Sequence, residues 1–186
     1  MMMKTEEVLQ EEVLQPAPLS FGEIEERAEQ VAEEEEFNRE TMTIRDWTKA
    51  LGGSIEVLEH PDYKQLQSGS LEVFGHRDFV IHLSPITGIL RDNFTIAHEL
   101  GHLFLHTGDP WGSRHIRIGR YYGKTAEAVR LEQQANRFAA ALLMPRDEFV
   151  QIAQRTDQDL QILAGRFGVS VPAAQARLYS LRSSLE

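Results

Sequence analysis

The chain's 186 residues suffice for one domain with a real core, and the lack of cysteine excludes disulfides and thiolate metal sites. No apolar run approaches the ~20 residues of a membrane span, and the opening "MMMKTEEVLQ" lacks the apolar core of a signal peptide, so a cytoplasmic protein with no membrane contact is expected. The net charge of −10 resides in residues 1–46, which hold 14 acidic and 4 basic side chains, whereas the rest is balanced at 15 of each; a neutral body argues against direct nucleic-acid binding.

Residues 1–20 carry a tandem repeat, "EEVLQ EEVLQ", followed by "PAP". Predominantly acidic charge and few apolar residues predict a disordered acidic leader. Ser20 and Glu23 have the spacing of a capping box. The helix that follows places Ile24, Ala28, Val31 and Ala32 on one stripe. A second helix, "TIRDWTKALGG", turns Ile44, Trp47 and Leu51 inward and stops at Gly52 and Gly53. Alternation in "SIEVLEH", "GSLEVFG" and "DFVIHLSP" predicts three short strands, with Gly75 near the turn between the last two. "RDNFTIAHELGHLFLH" reads as the next helix, capped at Asp92 or Asn93 and ended by Gly108 and Pro110. A loop to about residue 124 should follow. A long helix, "TAEAVRLEQQANRFAAALLMP", is capped at Thr125 and ended by Pro145, and three short helices close the chain. This divides the chain into a leader (1–20), a main domain (21–145) and a C-terminal helical segment (146–186).

The helix of residues 91–106 holds His98, Glu99, His102 and His106. At about 100° per residue, His98 and His102 lie about 40° apart on one face, close enough to share one ion at ~2.0–2.1 Å. Glu99 lies about 60° to the side of His102, where it can act on a water without ligating the ion. His106 continues the spacing, but its Cα is about 12 Å along the axis from that of His98. It is therefore expected to pack or to hydrogen-bond behind the site, not to bind the ion. A hydrolytic site needs a third protein ligand. Glu132, at the edge of the apolar stripe Ala128, Leu131, Ala135, Phe138, Ala139 and Leu142, is the better candidate. Glu127 competes, although an acid near a helix start is favoured anyway by the macrodipole. Small residues at 135, 139, 140 and 141 would let the two helices approach closely. His115, Tyr121 and Tyr122 in the loop are candidates to steady an oxyanion.

The pair "FTIAHELGHLFLH" and "EQQANRFAAALLMP", with "IHLSPITGILRDNFT" just upstream, resembles the ImmA/IrrE family of zinc-dependent metallopeptidases over roughly residues 43–145. The resemblance implies an α+β, zincin-like metallopeptidase with a small antiparallel sheet, an active-site helix and a short C-terminal helical region. It implies His98, His102 and Glu132 as ligands of Zn2+, with Mn2+ as the alternative, and Glu99 as the base. It also implies a substrate: a helix-turn-helix repressor or antitoxin, cut to regulate a mobile-element, toxin–antitoxin or stress-response module. The rivals are a partner that binds such a protein without cutting it and a DNA-associated regulator. The latter would use "DLQILAGRFGVSVPAAQARLYSL", which resembles a helix-turn-helix, but residues 146–186 carry five basic and five acidic side chains, so a packing or substrate-docking pair is expected.

Overall fold

A computed structural model describes residues 14–59, 69–108, 115–119 and 125–184. Residues 1–13 of the leader, with all but the last two residues of the repeat, and Trp111, Tyr121 and Tyr122 lie outside the described residues. Helix α1 (Phe21–Glu34) opens on the expected capping box between Ser20 and Glu23 and buries the four predicted residues. Helix α2 (Ile44–Ala50) is capped by Thr43, which accepts from the amide of Asp46. Trp47 is fully buried against Phe37, ring centroids 4.6 Å apart, and donates through Nε1 to the Glu35 carbonyl at 2.8 Å. Gly52 ends this turn at φ 91, where an added Cβ would lie 2.0 Å from the Arg77 carbonyl oxygen. Only glycine meets both demands.

The four described strands are β1 (Gly53–Val57), β2 (Ser70–Gly75), β3 (Asp78–Leu83) and β4 (Ile116–Gly119), in the order β1-β3-β2-β4. β2 pairs antiparallel with both β3 and β4, while β1 runs parallel to β3. The sheet is thus mixed where a wholly antiparallel one was expected. β1 lies on the far side of β3 from β2, and the connection from β1 to β2 lets it run in the direction of β3. Leu71 and Val73 of β2 and Phe79, Ile81 and Leu83 of β3 alternate onto the helix-facing side and are buried. β4 lies in the stretch expected to be loop. Its four residues offer only Ile116 and Ile118 as a period-two signal, too little to read alone, yet both are buried against β2.

Helix α3 (Ile89–His106) has its N-cap at Gly88, four residues before the expected Asp92, with no side-chain cap. Asp92 instead accepts from Thr87 Oγ1 at 2.6 Å and Arg45 Nη2 at 3.0 Å, and Asn93 donates to the Gly168 carbonyl at 2.9 Å. Both polar side chains are taken by tertiary partners, which outcompete a local cap. Helix α4 (Ala126–Leu143) is capped by Thr125 as expected and packs along α3 more extensively than any other pair of elements. Gly101 of α3 makes this possible: an added Cβ there would meet the Ala135 carbonyl oxygen at 3.0 Å and its Cα at 3.1 Å.

Helices α5 (Arg146–Arg155), α6 (Leu160–Phe167) and α7 (Val171–Ser180) complete the chain, with Gly168 turning at φ 61 between the last two. Phe149, Ala153, Leu163, Val169 and Ala174 join the same hydrophobic core as α1, α3 and α4. Arg177 of α7 is buried and grips Glu25 of α1 through both terminal nitrogens, at 2.8 and 3.2 Å, while its Nε donates to the Met144 carbonyl at 3.1 Å. Arg137 of α4 adds a third contact to Glu25, at 2.9 Å. Burial works to raise the Glu25 pKa, but the two guanidinium groups outweigh it and hold the carboxylate below its usual range. Glu25→Ala leaves a buried guanidinium without its counter-charge, so denaturant melts should show a loss of roughly 3 kcal/mol. The wild-type advantage should be complete above the ordinary glutamate pKa of about 4.3. It should fade as pH falls through the depressed native value, because the unfolded chain then binds the proton first.

The part of the leader nearest α1 departs from the expected disorder. Leu14 and Ala17 are buried, and the Ala17 backbone is hydrogen-bonded in both directions to Gln134 of α4. Two apolar contacts and two prolines give residues 14–20 enough burial and few enough unfolded conformations to settle on α4.

Candidate metal centre

His98, Glu99 and His102 project from the middle of α3, each about 1% exposed. Glu132 projects from the first half of α4, its side chain 29% exposed, and forms the more open wall of the site. His98 Nε2 and His102 Nε2 are 3.1 Å apart. Glu132 Oε2 lies 3.3 Å from the first, and Oε1 lies 3.4 Å from the second. All three ligand atoms fall within 4.8 Å of one another, the one such cluster among the described residues. Ligands at ~2.0–2.1 Å around a tetrahedral ion stand about 3.3–3.4 Å from each other. The observed separations are of that size, with Glu132 reaching His98 through Oε2 and His102 through Oε1. The sequence expectation that a second helix supplies the missing acid corresponds to this arrangement.

The donor chemistry fits as well. Asn136 Oδ1 lies 2.9 Å from His98 Nδ1. An amide oxygen only accepts, so Nδ1 carries the proton and Nε2 presents a lone pair inward. Oε1 of Glu132 is buried and makes no hydrogen bond, as suits an oxygen reserved for a cation. Burial favours a raised Glu132 pKa, but the adjacent His102 and His98 reverse this and hold the carboxylate ionised, well below its usual range. Burial lowers the His102 pKa, with only partial relief from Glu132, so that ring is neutral and able to ligate. Asn136 was not assigned a role from sequence. Its spacing of four residues from Glu132 puts the two on one helical face, the signal that could have found it.

His106 sits outside this cluster, as the helical rise requires. Its Nδ1 is 3.0 Å from His102 Nδ1 and its Nε2 is 3.0 Å from Gln134 Oε1. Burial first, and the neighbouring His102 next, push its pKa down to about 3. Glu127 is exposed on the first turn of α4, consistent with the macrodipole reading. His115 opens β4, where its described partners are Glu72, at 3.1 Å, and the ring of Phe74, at 4.8 Å between centroids. Neither contact brings it to the cluster. Gly69, at the entrance to β2, lies against Glu99: an added Cβ would come 2.9 Å from Glu99 Oε1 and 2.5 Å from Thr95 Cγ2. Only a bare backbone leaves room for the carboxylate there.

A family model described as the IrrE N-terminal-like domain, of the M78 peptidases, matches residues 54–179. The chain belongs to this peptidase family. The match takes in the sheet, both site helices and most of the C-terminal helices, and the zincin-like α+β fold agrees with it. Comparison with curated proteins gave no match. Family membership and a three-donor cluster together mark residues 98–102 and Glu132 as the candidate metal centre of a peptidase.

Proposed function

We propose that the chain is a zinc-dependent endopeptidase acting in the cytoplasm on a helix-turn-helix repressor or antitoxin. The observation that carries the hydrolytic part is the three-donor cluster and a buried carboxylate, Glu99, next to it on α3. A divalent ion held by His98, His102 and Glu132 would supply Lewis acidity toward the scissile carbonyl and would make a nearby water more acidic. Glu99 then has two tasks. Its carboxylate accepts the proton of the water that adds to the carbonyl carbon. It returns that proton to the amide nitrogen as the C–N bond breaks, so the amine leaves neutral. Gly69 keeps the space that this carboxylate occupies.

The substrate class rests on the family resemblance of the paired motifs. The surface supports a protein substrate over DNA. Residues 146–186, which include α6 and α7, carry no net charge, and Arg177 is committed internally to Glu25. No helix among the described residues is long and apolar enough to cross a membrane. The test is metal analysis of the purified protein, followed by incubation with the helix-turn-helix protein encoded beside it. Cleavage that a chelator stops and zinc restores is expected. A stable complex with an intact partner, in the presence of bound zinc, would overturn hydrolysis in favour of sequestration.

A further inference from the structure

The inward lone pair of His102 depends on hydrogen bonds that lead away from the site to the backbone near the N-terminus. Ala17 stands between Pro16 and Pro18. Prolines carry no N–H, and a residue before proline is held in extended conformation. Ala17 thus presents one amide proton and one carbonyl side by side, and Gln134 takes both. The Ala17 N–H donates to Gln134 Oε1 at 2.9 Å, and Gln134 Nε2 donates to the Ala17 carbonyl at 2.8 Å. Backbone groups cannot exchange roles, so the orientation of the amide is fixed. Turned over, it would set oxygen against oxygen and N–H against N–H. Gln134 is 0% exposed, so the mismatch could not be relieved by turning toward solvent.

The direction then propagates. Gln134 Oε1 also faces His106 Nε2 at 3.0 Å, and an amide oxygen can only accept, so His106 is protonated at Nε2. A neutral ring so protonated has its lone pair on Nδ1, which faces His102 Nδ1 at 3.0 Å. His102 must therefore carry its proton on Nδ1. Its Nε2 is left bare, pointing at His98 Nε2 and Glu132. The opposite tautomer would place a proton where a ligand's electron pair is required.

We propose that Ala17, Gln134 and His106 form a positioning relay that fixes the tautomer of His102, making the segment of residues 14–20 a working part of the metal centre. The proposal rests on the reading that His98, His102 and Glu132 hold a divalent ion. His98 takes its orientation within the helix pair, from Asn136, whereas His102 takes it from a backbone 117 residues distant from Gln134 in sequence.

The test uses the full chain labelled with 15N at histidine and stripped of metal near neutral pH. Long-range 1H–15N correlations should show His102 protonated at Nδ1 and His106 at Nε2. The reverse on either ring overturns the relay, whatever the variants do. Zinc affinity is then read by competition with a chromogenic chelator. Gln134→Leu removes the acceptor and should weaken zinc binding roughly 10- to 100-fold, the usual cost of a lost outer partner, with His102 divided between tautomers. Gln134→Glu keeps an acceptor facing His106 and, as a buried neutral carboxyl, can donate its proton to the Ala17 carbonyl. It should recover the His102 tautomer and most of the affinity, which a purely packing role for Gln134 would not. A Gln134→Leu protein that folds, binds zinc as wild type does and keeps one tautomer overturns the relay while leaving the metal centre standing. Wild-type protein that takes up no zinc overturns the metal centre, and the relay with it.

Discussion

Glu132→Ala should purify folded but fail to retain zinc through dialysis, and should not cleave its partner protein. The argument is one of donor count. His98 and His102 alone leave an ion with two protein ligands, one fewer than a hydrolytic site needs. An imidazole that ligates through a lone pair brings no charge to offset a divalent cation, whereas Glu132 brings a carboxylate held ionised by its surroundings. The loss of affinity should therefore exceed the roughly 10- to 100-fold that removal of an outer hydrogen-bond partner costs. Glu127→Ala is the matching control. It removes the rival acid of the same helix, which is exposed one turn and a half before Glu132, and should leave both zinc and cleavage intact. Zinc content and chelator competition measured on the two variants decide the assignment. If Glu127→Ala loses the metal and Glu132→Ala keeps it, the third ligand has been misplaced.

What could be read from the sequence divides by the range of the interaction involved. The ligands on α3 are four residues apart on a rigid helix, so helical geometry alone predicts that His98 and His102 meet and His106 does not. Glu132 is 30 residues further on, yet its place beside a small-residue stripe foretold a close helix pair, and Gly101 against Ala135 is how that closeness is achieved. The capping box at Ser20 and the cap at Thr125 are local and were equally legible. The start of α3 was not, because Asp92 and Asn93, residues of capping type, are drawn to Arg45, Thr87 and Gly168 instead. β4 was hidden because a four-residue strand owes its existence to β2, which its own composition does not announce. The charge repeats of the leader predict disorder, but the segment that docks, "LQPAPLS", carries no charge and keeps only the last two residues of the repeat. Nothing in the sequence says that its backbone will face Gln134. That pairing spans 117 positions and exists only once α4 is folded.

Glu99→Gln should leave the fold and the zinc in place and slow cleavage by roughly 10²- to 10⁴-fold, the usual weight of a positioned general base. In barrier terms that is about 2.7–5.5 kcal/mol. The substitution is close to isosteric, which matters here because Glu99 is 1% exposed and Gly69 lies against its carboxylate. A bulkier change would confound chemistry with packing. The carboxamide can still accept and donate hydrogen bonds, so binding of substrate should be nearly unchanged and the loss should fall on kcat, leaving KM close to wild type. What it cannot do is hold the proton taken from water and hand it to the departing nitrogen. Two results would break the assignment in different ways. Activity within about tenfold of wild type would mean that the proton goes elsewhere. Loss of zinc from Glu99→Gln would mean that Glu99 ligates the ion, at odds with a cluster in which His98, His102 and Glu132 already supply the three protein donors a hydrolytic site needs. Retained zinc with lost turnover is the combination that a base lying beside the ligands, and not among them, should produce.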